Sequence, residues 1–287
     1  MFPVWYYTLG VYFVASSSYS LLQRKYAQTS AIPLRLIPAL IFGFVVYPVS
    51  LITAFFLGNF WINVEWQSVC LLLLASSTIA AFNVAPFRIN KYIDTTQYLI
   101  ISNIYTPVTV LIGVFVLHEA FSGTQFLGML MLIVGAVLVA AKGFTRRTFR
   151  FDKHGIELAL LALLLGIGLA TEKAALSYMS PATYIVIGYG LQMVFTFFFA
   201  RKDIAGMRTI NRRGLVELMQ LGAARSGHIL GYFMSLAISR QVALMASLTS
   251  FRIPIVFIAS IFILRERENL RRKFIGVAIA TIGLILL

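Results

Sequence analysis

The chain has 287 residues, 60% of them hydrophobic and only 12% charged, with a mean hydropathy of +0.87. Soluble domains carry roughly 45–50% apolar and about 25% charged residues, so this composition excludes a water-soluble globular enzyme, a disordered protein and a collagen-like chain. The 24 Lys and Arg against 10 Asp and Glu leave a net charge of +14, which in a soluble protein would point to nucleic acid. Here the basic residues sit between apolar runs, where membrane topology accounts for them better. The single cysteine, Cys70, excludes an intrachain disulfide and a cysteine-based metal cage.

A spanning helix needs about 20 mostly apolar residues. Ten such spans are predicted, at 4–23, 32–57, 67–87, 95–117, 124–141, 156–178, 182–200, 214–238, 241–264 and 274–287. The first has neither a basic n-region nor a small-residue cleavage site, so it is expected to be a retained helix. Connections are short, and any function is expected to reside in the helices. The expected fold is an all-α integral membrane protein.

The chain also repeats. Residues 107–119 read PVTVLIGVFVLHE and residues 254–266 read PIVFIASIFILRE, each with Pro and Glu twelve apart around an apolar run. Gly128 and Gly135 follow the first, and Gly276 and Gly283 follow the second, seven apart in both cases. This predicts two five-helix repeats, 1–143 and 155–287, joined by a basic linker at 144–154. Five helices per half force the halves into opposite orientations, the inverted-repeat plan of many secondary transporters.

Charge distribution agrees. The loops after spans 1, 3, 5, 7 and 9 hold 19 of the 24 basic residues, and the other face holds Arg240 alone. By the positive-inside rule the linker lies in the cytoplasm and both termini outside, as a multi-pass protein of the inner cell membrane.

With its paired P-x11-E ends of spans 4 and 9, each followed by a G-x6-G helix, and with Arg35 at the start of span 2, the chain resembles the ten-helix drug/metabolite transporter superfamily, the EamA-type carriers. The resemblance implies an export or exchange carrier with a central cavity between the repeats. Members of that family keep their termini in the cytoplasm, whereas the charges here argue the reverse, which leaves transport direction open.

Charged side chains inside a bilayer are costly and usually face a cavity or a partner. Arg252 lies midway along span 9, two residues before Pro254, which deprives the carbonyl of Ser250 of its helical donor. It is expected to be the main anion ligand, or else to satisfy freed carbonyls or pair with Glu172. Arg225 and His228, three apart on span 8 between Gly222, Gly227 and Gly231, project from one face. They are read as a second anion clamp, with interhelical hydrogen bonding as the bland alternative. Glu172 is either a coupling carboxylate or the ion-pair partner of Arg225 or Arg252, the pair being favoured by the surplus of positive charge. Lys173 either joins the cavity as a gate residue or snorkels at the helix end.

The first half offers polar groups only: Ser16, Ser17, Ser18, Tyr19, Asn83, Gln97 and Asn103. Tyr19 and Asn103 are expected substrate contacts, and Pro107 a helix kink that frees the carbonyl of Asn103. Packing is the competing reading for each of these polar groups. Trp5, Tyr184 and Tyr189 read as interfacial anchors, and the glycine pairs as close helix contacts.

No phosphate loop, nucleophile elbow or H-E-x-x-H motif occurs, so no catalytic, cofactor or metal constellation is expected. Nor is nucleic-acid binding expected, the basic loops lacking interleaved aromatic platforms. The expected function is secondary transport of a small anionic or carboxylate-bearing metabolite, by a monomer in the bilayer, through a midplane cavity, with a proton or counter-substrate as the coupling partner. The alternatives are a multidrug, cationic or amino-acid exporter with Glu172 as its proton or cation site, a membrane enzyme or lipid-handling protein binding a phosphorylated headgroup, and a non-transporting scaffold.

Overall fold

A computed structural model describes residues 5–117, 122–140, 153–239, 252–266 and 268–286. Glu119, linker residues 144–152, Arg240, residues 241–251 of the ninth span and the side chain of Trp5 lie outside the described residues. Among the described residues the chain is helical, with no strand beyond one isolated bridge between Ile62 and Met179. In chain order the helices are α1 (Trp5–Thr29), α2 (Leu36–Leu57), α3 (Trp66–Ile89), α4 in two pieces (Thr95–Ser102 and Tyr105–Leu117), α5 (Gly123–Ala140), α6 (Lys153–Ala175), α7 (Pro181–Ala200), α8 (Arg212–Ser239), α9 (Arg252–Leu264) and α10 (Leu270–Leu286).

Local chemistry sets several of the starts. Glu65 caps α3 in a capping box with Ser68, whose hydroxyl takes the Glu65 N–H at 3.1 Å. Asp94 Oδ1 accepts the N–H of Gln97 at 2.9 Å and opens α4. Ser180 Oγ accepts from Thr183 N at 3.1 Å, followed by Pro181 in the first turn of α7, where a missing N–H costs nothing.

Among the described residues four helices are long and apolar enough to cross a membrane: α2, α3, α6 and the stretch Pro181–Arg208 that begins with α7. The shortfall from ten has local causes. The fourth predicted span is broken at Asn103 and Ile104, α5, α9 and α10 are described over 18 residues or fewer, and α1 and α8 intersperse serine, tyrosine, glycine and charged residues among their apolar ones. Phe44, Phe55, Phe56, Leu163, Val194 and Phe198 are exposed on the outside of the bundle, an outward display of apolar groups that suits lipid rather than water.

The helices pack in a reciprocal pattern. α1 lies along α8, and α6 along α3; α2 contacts α8, and α7 contacts α3; α4 rests on α5 and α6, and α9 on α10 and α1; α2 meets α7, and α5 meets α10. The α5–α10 seam is a backbone contact made by the spaced glycines. A Cβ on Gly135 would stand 2.8 Å from Gly276 O and from the Cβ of Ala280. One on Gly283 would stand 2.7 Å from both Gly128 O and Leu132 N. Only glycine allows this approach, so these residues serve close helix packing as expected.

Tyr184 departs from expectation. It is 2% exposed and packs with Leu72, Ala175 and Met179, so it is a core residue and not an interfacial anchor. Tyr189 is half-buried beside it.

Candidate functional site

α8 brings Arg225 and His228 to the middle of the bundle. Arg225 Nη2 donates to Asn83 Oδ1 of α3 at 3.4 Å, and Nη1 lies 3.4 Å from His228 Nδ1. A guanidinium can only donate, so in this contact Nδ1 is the acceptor. The guanidinium also stands 5.2 Å from the ring centroid of Tyr19 on α1, within cation–π range. His228 meets Tyr12 edge-on at 5.1 Å.

Glycines flank this face because α8 presses against its neighbours. A Cβ on Gly222 would clash with Val45, one on Gly227 with Ala15, and one on Gly231 would come within 2.7 Å of the Tyr12 backbone. The glycines therefore serve packing and do not widen a cavity.

Arg252 opens the described part of α9 and is half-buried. Its Nε is sealed from the surface and has no partner among the described residues. Tyr12, Tyr98 and Tyr105 lie within electrostatic reach of it, and His228 lies within reach of both Arg252 and Arg225. Four predicted residues, Arg225, His228, Arg252 and Tyr19, thus come together with Asn83 and three further tyrosines. Among the described residues neither arginine is paired with a carboxylate.

The favoured ion pair of Glu172 with Arg225 or Arg252 is not made. Gly168 abuts Thr78 and Ala175 packs with Leu72, so Glu172 stands beside that stretch of α3. Asn83 lies further along, which at 1.5 Å per residue is roughly 8–16 Å away. Tyr184 is the group within electrostatic reach of Glu172. Lys173 is exposed in the last turn of α6 and is not part of the arginine cluster.

Pro107 does mark a break, but not a free carbonyl. Asn103 O accepts the N–H of Thr106 at 3.0 Å, and the Asn103 side chain donates back to Leu99 O at 2.6 Å. Its amide N–H is thus committed to its own helix. Pro254 lies within the described part of α9. Ser250, whose carbonyl it was expected to free, lies outside the described residues. Gln97 Nε2 donates to Val139 O at 3.1 Å and joins α4 to α5.

Sequence reasoning missed a second constellation, at the end of the bundle that carries the basic loops. Arg24 Nε meets Glu266 Oε1 at 3.2 Å, and Arg24 also donates to Asn90 O. Glu266 receives the Thr95 N–H at 3.1 Å and the Thr95 hydroxyl at 3.2 Å, at the start of α4. Beside it Asp94 Oδ2 takes Lys273 Nζ at 2.7 Å, with the lysine side chain only 3% exposed. Arg24, half-buried, and Lys273, buried, counted as topology signals, are therefore structural charges that tie together α1, α4, the segment after α9, and α10. Burial, then the charge of Asp94, pushes the Glu266 carboxyl above its usual range, against the pull of Thr95 and Arg24. The signal available in the sequence was Glu266 itself, the glutamate that closes the second P-x11-E run.

Two cavities, of about 410 and 110 Å³, both lie at this basic end. Neither is the expected midplane cavity, where the arginine cluster is packed against tyrosines. No group of three or more His, Cys, Asp or Glu residues suited to a metal occurs among the described residues.

No family model matches the chain, and no curated protein matches it in sequence. Seventeen solved chains match it in structure; one, described as "Crystal structure of protein", aligns with a TM-score of 0.64 at 16% identity over 96% of each chain. The likeness is one of fold.

Proposed function

We propose that the chain is a secondary transporter of a small anionic or carboxylate-bearing metabolite, working by alternating access between two inverted five-helix repeats. The observation that carries the reading is the pair of guanidiniums, Arg225 on α8 and Arg252 on α9, flanking His228 with no carboxylate paired to either among the described residues. Uncompensated buried charges are costly, and an anionic ligand would offset that cost. Arg252, whose Nε has no partner among the described residues, is the main ligand; Arg225, held in place by Asn83 and Tyr19, is the second clamp.

The reciprocal packing supports the inverted repeat. Exchanging the halves turns the α1–α8 contact into the α6–α3 contact, and Gly128 against Gly283 into Gly276 against Gly135. Membrane insertion of all ten spans, the kinship with EamA-type carriers and a cytoplasmic linker belong to the same proposal. The Arg24–Glu266–Thr95 and Asp94–Lys273 contacts then form the barrier at the linker side.

A second reading has one observation in its favour: Glu172 makes no ion pair or hydrogen bond among the described residues, as a proton or cation site in an exporter would require. The test is a thermal-shift screen of detergent-purified wild type, Arg252→Ala and Glu172→Gln against anionic, zwitterionic and cationic metabolites. Ligand at a hundredfold excess over Kd stabilises the folded state by about 2.7 kcal/mol. Anions are expected to stabilise the wild type and Glu172→Gln but not Arg252→Ala. Cation-driven shifts that survive Arg252→Ala and vanish in Glu172→Gln would replace the first reading with the second.

A further inference from the structure

The first turn of α10 carries Arg271, Arg272 and Lys273 in succession. Positive charge at a helix N-terminus opposes the macrodipole, and the first amide N–H groups there lack helical acceptors. Lys273 is neutralised by Asp94. Arg271 and Arg272 have no carboxylate partner among the described residues, and Arg272 Nε is buried with no hydrogen-bond partner among them either. Both line the 410 Å³ groove, whose remaining wall is Leu138 of α5 together with Asn269, Leu270 and Ile275. The groove thus has two guanidiniums and a helix N-terminus at one end and an aliphatic wall at the other. Further along the same two helices Ile133 and Val134 of α5 and Ile282 of α10 are also exposed.

We propose that this groove binds one anionic phospholipid, its phosphate on Arg271 and Arg272 and an acyl chain along Leu138 and Ile275. Charge complementarity selects the headgroup, and the aliphatic wall selects a lipid over a free anion. The position at the basic end matches the leaflet in which anionic headgroups attract basic residues flanking a membrane span. This inference rests on the membrane reading above but not on the arginine cluster, which lies elsewhere in the bundle.

The test is lipid retention by native mass spectrometry and thermal stability of the full-length protein, titrated with phosphatidylglycerol or phosphatidylcholine. Wild type, Arg271→Gln/Arg272→Gln and the exposed-lysine control Lys202→Gln are compared. Wild type and the control should retain one phosphatidylglycerol, at least tenfold more tightly than phosphatidylcholine, and gain stability from it. The double variant should lose that preference while keeping the wild-type melting point in phosphatidylcholine, which shows that it folds. Equal retention of the two lipids by wild type, or an unchanged preference in the double variant, would overturn the site. A stabilisation reproduced by inorganic phosphate alone would overturn it in favour of a soluble-anion site. The metabolite shift lost in Arg252→Ala should persist in the double variant, so failure of one proposal leaves the other readable.

Discussion

Substitution of Gly283 by alanine tests the α5–α10 seam directly. The added Cβ would sit 2.7 Å from Gly128 O and Leu132 N and 3.0 Å from Met131 Cβ. Two of these three atoms are backbone, so no side-chain rotation relieves the contact. The helices must part by about half an ångström to restore van der Waals distance, loosening the packing of Leu132, Ala136, Val277 and Ala280, all buried at this seam. Overpacking costs about 1–3 kcal/mol, and a rigid backbone neighbour places this site at the upper end. At about 2–4 °C per kcal/mol for a chain of this order of size, the melting temperature should fall by roughly 5–10 °C in detergent. Gly10→Ala is the control: it is a helical glycine with nothing within 4 Å of an added Cβ, and it should be neutral or slightly stabilising through better helix propensity. A Gly283→Ala protein that melts with the Gly10→Ala control would refute the close backbone contact.

Three further outcomes are expected. Because the Glu266 carboxyl is raised by burial and by Asp94, its neutral form is favoured in the folded state, so its contribution to stability is full below the unfolded value near 4.5 and is lost as pH rises through the folded one. Melting curves of wild type against Glu266→Gln from pH 4 upward should show that loss in wild type only, and a wild type gaining stability over the variant in that window would contradict it. Asp94→Asn or Lys273→Met alone should each cost about 3–5 kcal/mol by stranding a buried charge, whereas the double variant should cost less than the sum; simple additivity in the double-mutant cycle would mean that the pair is uncoupled. Cys70, exposed near the start of α3 at the end opposite the basic loops, should react with a membrane-impermeant maleimide in intact cells if that end faces outward, and labelling only after lysis would invert the proposed topology.

The helices were legible because an apolar run of sufficient length has few other destinations, and the glycine spacing of α5 and α10 announced a close seam before any partner was known. What escaped was pairing at a distance. Arg24 and Glu266 are 242 residues apart, and nothing local to either distinguishes a buried latch from a solvated topology charge. Counting charges also misplaced Glu172: a surplus of arginines says nothing about height along the bundle, and the carboxylate lies about one and a half to three helical turns from Asn83. The break in α4 was anticipated at Pro107, but not that Thr106 would recapture the carbonyl that the proline cannot serve.

The contact between α5 and α10, like that between α2 and α7, differs in kind from the contacts that come in exchanged pairs. Interchanging the halves carries α1–α8 into α6–α3, a different pair of helices, but carries α5–α10 into itself. In a rocking carrier of the kind proposed above, contacts of the first sort must tighten on one side as their mates loosen on the other. A self-mated contact has the same geometry in both extremes and need do no work in the cycle. In such a carrier the glycine seam would serve as a bearing on which the two halves turn, and loosening it should slow both directions of transport alike.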